Sequence, residues 1–170
     1  MHKFSFYALA AILAVSTPAC AQPKKAASGS GNLQVLEATR QTTISGRPGM
    51  EPFTIYRLRV IWKNNAAPTP FFWRPDAKSW METHIAKPIK RPGLAPGDFM
   101  VIERNMTAKD VRYGDTLILT TRRHAHDEEP MPSEVKKMPA GSLYYQTAAS
   151  AGKWQYAPIT IRQMPDIKTP

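Results

Sequence analysis

A chain of 170 residues with sixteen prolines, nine glycines and a formal charge of +10 is long enough to bury a sizeable core without a disulfide staple. Its single cysteine, Cys20, excludes a disulfide framework, a catalytic dithiol and a cysteine-built metal centre. The positive balance admits an anionic partner.

Residues 1–21 read as a secretory signal peptide. His2 and Lys3 give a basic start, Phe4 to Val15 is an apolar run too short to cross a bilayer, and small residues follow. Two cleavage chemistries fit this leader. Ala19-Cys20-Ala21 suits cutting before Gln22; alternatively, Cys20 is the acylated residue of a lipoprotein, although Thr17 and Pro18 depart from the residues that usually precede a lipidated cysteine. The expected location is therefore periplasmic or secreted, or else membrane-anchored through lipid on Cys20. Residues 22–32, which include Pro-Lys-Lys-Ala-Ala-Ser-Gly-Ser-Gly-Asn, have the composition of a flexible tether. Residues 33–170 are expected to form one domain.

Leu33 to Ile44 is rich in β-branched residues and ends at the breaker cluster Ser45-Gly46-Arg47-Pro48-Gly49, which predicts a strand and a turn. In Phe53 to Lys63 the apolar residues Tyr56, Leu58, Val60 and Trp62 alternate with Arg57, Arg59 and Lys63, the period-two pattern of a half-buried strand with a basic outer face. Those cations suit either a solvated face that resists edge aggregation or a binding stripe. Asn64 to Pro75 is interrupted by three prolines around Phe71, Phe72 and Trp73. These rings either plug the end of the fold or form a recognition surface. Lys78 to Ile85 alternates loosely, as a strand would, and Phe99 to Arg104 is a further extended run. Val111 to Thr121 turns at Gly114-Asp115 into an alternating strand expected to be central, and Leu143 to Thr147 pairs with Trp154 to Ile161. About seven short strands, Gly, Pro and Asn breakers and no amphipathic helical window predict an all-β, antiparallel, immunoglobulin-like sandwich.

The segment from Arg123 to Ser142 is longer than most hairpin connections. It carries His124, His126, Asp127, Glu128, Glu129, Met131 and Met138. Histidines two apart share one side of an extended strand, and with nearby carboxylates or thioethers they suit copper or zinc. A solvated loop explains the same residues with no metal. No Gly-x-Ser-x-Gly elbow, P-loop, dinucleotide fingerprint or zinc-protease motif occurs, and the spacing of Asp76, Glu82 and His84 brings no nucleophile to a base. The expectation is a non-catalytic protein that needs no cofactor, copper or zinc being the alternative. Its bases are scattered along the chain and export removes nucleic acid as a ligand.

With Val111 to Thr121, Gly141-Ser-Leu-Tyr-Tyr145, Gly152-Lys-Trp-Gln-Tyr156 and Ile159-Thr-Ile161 in view, the chain resembles small exported envelope proteins common in Bacteroidota, chiefly over residues 97–167. The resemblance implies a sandwich domain in the cell envelope and transfers no catalytic residue. The partner implied is another envelope protein or an anionic envelope polymer. Phe71, Phe72 and Trp73 are the candidate partner-binding aromatics and Arg57 and Arg59 the candidate basic contacts; His124, His126 and Met131 are the candidate metal ligands.

Overall fold

The computed structural model describes residues 31–93, 99–123 and 130–169. The leader at 1–21, Cys20 and the tether up to residue 30 lie outside the described residues. The described residues form eleven strands: β1 (Leu33–Ser45), β2 (Phe53–Trp62), β3 (Phe72–Arg74), β4 (Met81–Glu82), β5 (His84–Pro92), β6 (Phe99–Met106), β7 (Thr116–Arg123), β8 (Ser142–Tyr145), β9 (Gln155–Pro158), β10 (Arg162–Gln163) and β11 (Ile167–Thr169). One short helix, α1 (Ser133–Lys136), lies between β7 and β8.

The protein is mostly β, and its strands make two sheets. The larger runs β10-β1-β2-β7-β5-β6 with β11 also on β1, and the smaller runs β4-β3-β8-β9. The pairing is antiparallel except where β10 and β11 lie parallel to β1. Eleven strands replace the expected seven: β3, β10 and β11 are only two or three residues long, and the expected strand Lys78 to Ile85 covers the two-residue β4 and only the first two residues of β5. An alternation needs more residues than that to show.

The alternation in β2 is that of a strand with one face in the core. Tyr56, Leu58, Val60 and Trp62 are buried, whereas Arg57 and Arg59 are exposed. β7 lies inside the sheet between β2 and β5, and its register sets Leu119 opposite Leu58 and Leu117 opposite Val60. The turn before β7 is fixed by its backbone. Gly114 has φ +82°, the left-handed region that glycine enters without a Cβ penalty. Its N–H donates to Trp62 O at 2.8 Å, and the Trp62 N–H donates to Asp115 O at 3.0 Å. The Asp115 carboxylate then accepts the Arg112 N–H at 3.0 Å and pairs with Lys87. This corner ties the start of β7 to the end of β2.

The core lies between the sheets. Leu58, Val60, Trp62, Leu117 and Leu119 from the larger sheet share one apolar cluster with Trp73, Met81, Leu143, Tyr145 and Ala157 from the smaller. Trp62 meets Phe71 and Tyr145 edge-on, with ring centroids 5.7 Å and 5.2 Å apart, the arrangement favoured by aromatic quadrupoles. No helix among the described residues is long and apolar enough to cross a membrane.

Candidate functional site

Alternation along β1, β2 and β7 sends every second side chain away from the core, and on the larger sheet those residues line a groove of about 640 Å³. Its floor is aliphatic. Ile55 on β2, Ile118 on β7 and Pro88 on β5 lie along it, with Val101 on β6 at one side and Met164 beyond β10 at the other. Val101 is 64% exposed, an unusual position for a β-branched apolar side chain, while Ile118 is only 5% exposed.

Charged groups stand over this floor. Arg57 pairs with Glu103, and Arg162 pairs with Glu37 at 2.9 Å. β7 and β5 separate β2 from β6, so Arg57 and Glu103 belong to strands three spacings apart, ~14 Å on a flat sheet. Their contact requires the sheet to curl towards this face, as twisted sheets do, and the same curl buries Ile118. Arg59 also lines the groove and, among the described residues, has no ion-pair partner. Three guanidinium groups and two carboxylates leave the groove with a net positive charge.

The two arginines singled out from the sequence therefore share this face, but the three aromatics do not. Phe71 and Trp73 are buried in the core between the sheets. Phe72 points the other way and stacks on Trp80, with centroids 4.8 Å apart and planes 5° from parallel. The expectation that Phe71, Phe72 and Trp73 form one recognition surface is thus corrected: a strand sends alternate residues to opposite faces, and both faces of β3 are covered.

The covering on the outer side comes from the segment proposed for metal. His124 and His126 lie outside the described residues. Met131 and Met138 are half-buried against Trp80, Val135 and Tyr144, so this part of the segment is packed rather than solvated. Thioethers fill such aromatic-lined gaps well. Arg74, itself buried, fixes the segment: its guanidinium donates to Val135 O at 2.6 Å, Lys136 O at 3.4 Å and Met138 O. Val135 and Lys136 lie at the C-terminal end of α1, where a helix leaves carbonyls without an intrahelical partner, and Val135 O also accepts the Met138 N–H at 3.0 Å. Tyr144 donates its hydroxyl to Pro139 O, and burial pushes its pKa above the ordinary 10.0 against the opposing pull of Arg74. Among the described residues no three His, Cys, Asp or Glu side chains cluster as a metal site would.

No family model, curated protein or solved structure matches the chain. Arg57 and Arg59 were legible in the β2 alternation; Val101, Glu103, Ile118 and Arg162 come from strands that only the fold brings beside them.

Proposed function

We propose that this chain is an exported, non-catalytic binding module of the cell envelope, and that it takes an acidic envelope protein onto the concave outer face of its larger sheet. The observation that carries the reading is the pairing of exposed Val101 and an aliphatic floor with Arg59, a cation without an ion-pair partner among the described residues. An apolar centre under a charged rim is the usual anatomy of a protein interface. A purely anionic polymer would use the arginines and leave Ile55, Ile118 and Val101 without a counterpart, which favours a protein carrying both carboxylates and aliphatic side chains. The immunoglobulin-like arrangement is part of the same reading, supported by two sheets facing one core and by the antiparallel order of the long strands.

A photo-crosslinking residue placed at Val101, compared with one at Tyr113, tests this in the native cell. Tyr113 is as exposed as Val101 but does not line the groove. One discrete protein adduct from position 101 and none from position 113 is expected. Equal, diffuse labelling from both positions, or an adduct containing only a second copy of this chain, contradicts the proposal. Export is tested separately by intact mass: a chain starting at Gln22, or at Cys20 with lipid, supports it, and a chain retaining residues 1–21 opposes it.

A further inference from the structure

On the other side of β1 from the groove, exposed Arg40, between the groove residues Thr39 and Gln41, borders a slot of about 330 Å³ that opens between the sheets. Tyr56, Trp73, Ile159, Ile161 and Gln163 line it together with Arg40. This volume falls at the lower end of the ~300–1,000 Å³ typical of small-molecule sites.

Donors outnumber acceptors among the side-chain polar groups here. The Trp73 indole N–H is buried and has no hydrogen-bond partner among the described residues, in a residue that is 1% exposed. Tyr56 is 4% exposed, and its hydroxyl makes no hydrogen bond among the described residues. Nearly all buried donors in folded proteins are paired, so the Trp73 indole N–H, in a ring that lines the slot, calls for an acceptor, and the Tyr56 hydroxyl, which is not fully buried, adds a second group able to donate. Arg40 adds the charge. Its Nε donates to Gln163 Oε1, which orients the guanidinium and leaves its terminal nitrogens without partners among the described residues. Gln163 is itself held, donating to Met164 O at 2.8 Å. No Asp or Glu lines the slot among the described residues; outside the lining, Asp166 Oδ1 accepts from the Gln163 amide at 3.5 Å.

The walls are apolar and partly flat. Tyr56 and Trp73 stand with ring centroids 5.8 Å apart and planes tilted by 54°, and Ile159 and Ile161 lie close by. We infer that this slot is a binding site for a small carboxylate with a compact, planar apolar body, the carboxylate meeting Arg40 and the Tyr56 and Trp73 donors while the body packs on the rings and isoleucines. A guanidinium fork suits the two oxygens of a carboxylate. The proposal is independent of the groove, since neighbouring residues of one strand serve opposite faces.

The carboxylate has two possible sources, a free small molecule or the C-terminus of a peptide, and the test separates them. Benzoate, benzamide, and a short phenylalanine-terminated peptide with a free or an amidated C-terminus are titrated into the purified, nitrogen-15-labelled protein while the assigned indole N–H signals are followed. Benzoate is expected to shift the Trp73 signal saturably and leave Trp80 and Trp154, which lie in the separate outer cluster, unmoved. Benzamide is expected to bind about tenfold or more weakly, and Arg40→Gln, at an exposed position, to weaken benzoate by a similar factor. Tyr56→Phe should weaken it by a smaller factor with the fold intact. If the free-acid peptide moves the same signal and the amide does not, the site reads a chain end; if only benzoate does, it reads a free molecule. A Trp73 signal that neither benzoate nor the free-acid peptide moves, equal affinity for benzoate and benzamide, or full benzoate affinity in Arg40→Gln overturns the inference.

Discussion

Arg57 on β2 and Glu103 on β6 form an ion pair over two intervening strands. Both partners are substantially exposed, and such pairs contribute at most about 1 kcal/mol. The curl that brings them together is therefore maintained from beneath, by burial of Ile118. Double-mutant cycles in urea should give Arg57 and Glu103 a coupling below about 1 kcal/mol, whereas Ile118→Ala should cost about 2 kcal/mol or more. A coupling of several kcal/mol would make the pair, rather than the aliphatic floor, the cause of the concavity.

Arg74 holds α1 against the smaller sheet through carbonyl oxygens alone. Replacing it with Met keeps much of the stem but removes the guanidinium donor from Lys136 O and Met138 O, while Val135 O keeps the Met138 N–H. A loss of about 3 kcal/mol is expected, with faster proteolysis between residues 130 and 140. Arg74→Lys should recover little, because an ammonium cannot reach several diverging carbonyls as a planar guanidinium does. Full stability in the Met variant would show that Val135 and the neighbouring rings suffice to dock the segment.

The raised pKa of Tyr144 predicts an alkaline limb to the stability profile. Burial disfavours the phenolate, so the folded pKa lies above the unfolded value near 10. The stabilisation is complete below the unfolded pKa and is lost as pH rises through the folded one. Tyr144→Phe should flatten that limb while leaving the neutral range lowered only by loss of the bond to Pro139. At the acid end Asp110 has the opposite sign. The Thr107 hydroxyl, 2.6 Å away, and the Thr107 backbone N–H hold its carboxyl below 3.8, so its contribution is present above the unfolded pKa and fades as pH falls through the folded one. Thermal unfolding across pH in Tyr144→Phe and Asp110→Asn checks both directions.

Trp73→Ala should reduce stability by about 3–5 kcal/mol, as loss of a core aromatic does, and should not act on the groove directly. Partner adducts from the groove that disappear in a still-folded Trp73→Ala protein would reopen the aromatic reading.

The fold was legible where a long strand alternates clearly, and not in β5, where Lys87-Pro-Ile-Lys-Arg-Pro92 has no alternation and only His84 and Ile85 fall in an expected strand. β2 shows clear alternation in Tyr56, Leu58, Val60 and Trp62, and the tyrosine-rich β8 and its partner β9 emerge where the sequence pattern puts a closing pair. Strands of two or three residues have no period to read, and the parallel placement of β10 and β11 on β1 depends on contacts more than 120 residues distant in the chain. Phe71, Phe72 and Trp73 misled for a related reason. Three aromatics in a proline-rich stretch look like one surface, yet they divide between two faces once β3 pairs with β8. The groove was half legible: alternation exposed Arg57 and Arg59 on the face that Ile55 shares, but the rest of the apolar lining comes from β5, β6, β7 and Met164.

Adduct yield from a crosslinker at Val101, measured for Arg59→Gln against Lys63→Gln, tests the groove most directly. Both changes remove one exposed positive charge from the same stretch of chain, and only Arg59 lines the groove. A severalfold loss of adduct in Arg59→Gln, with Lys63→Gln equal to the unchanged protein, is the result the proposed function predicts. Equal yields from both variants would show that the concave face does not use its unpaired arginine, and would contradict it.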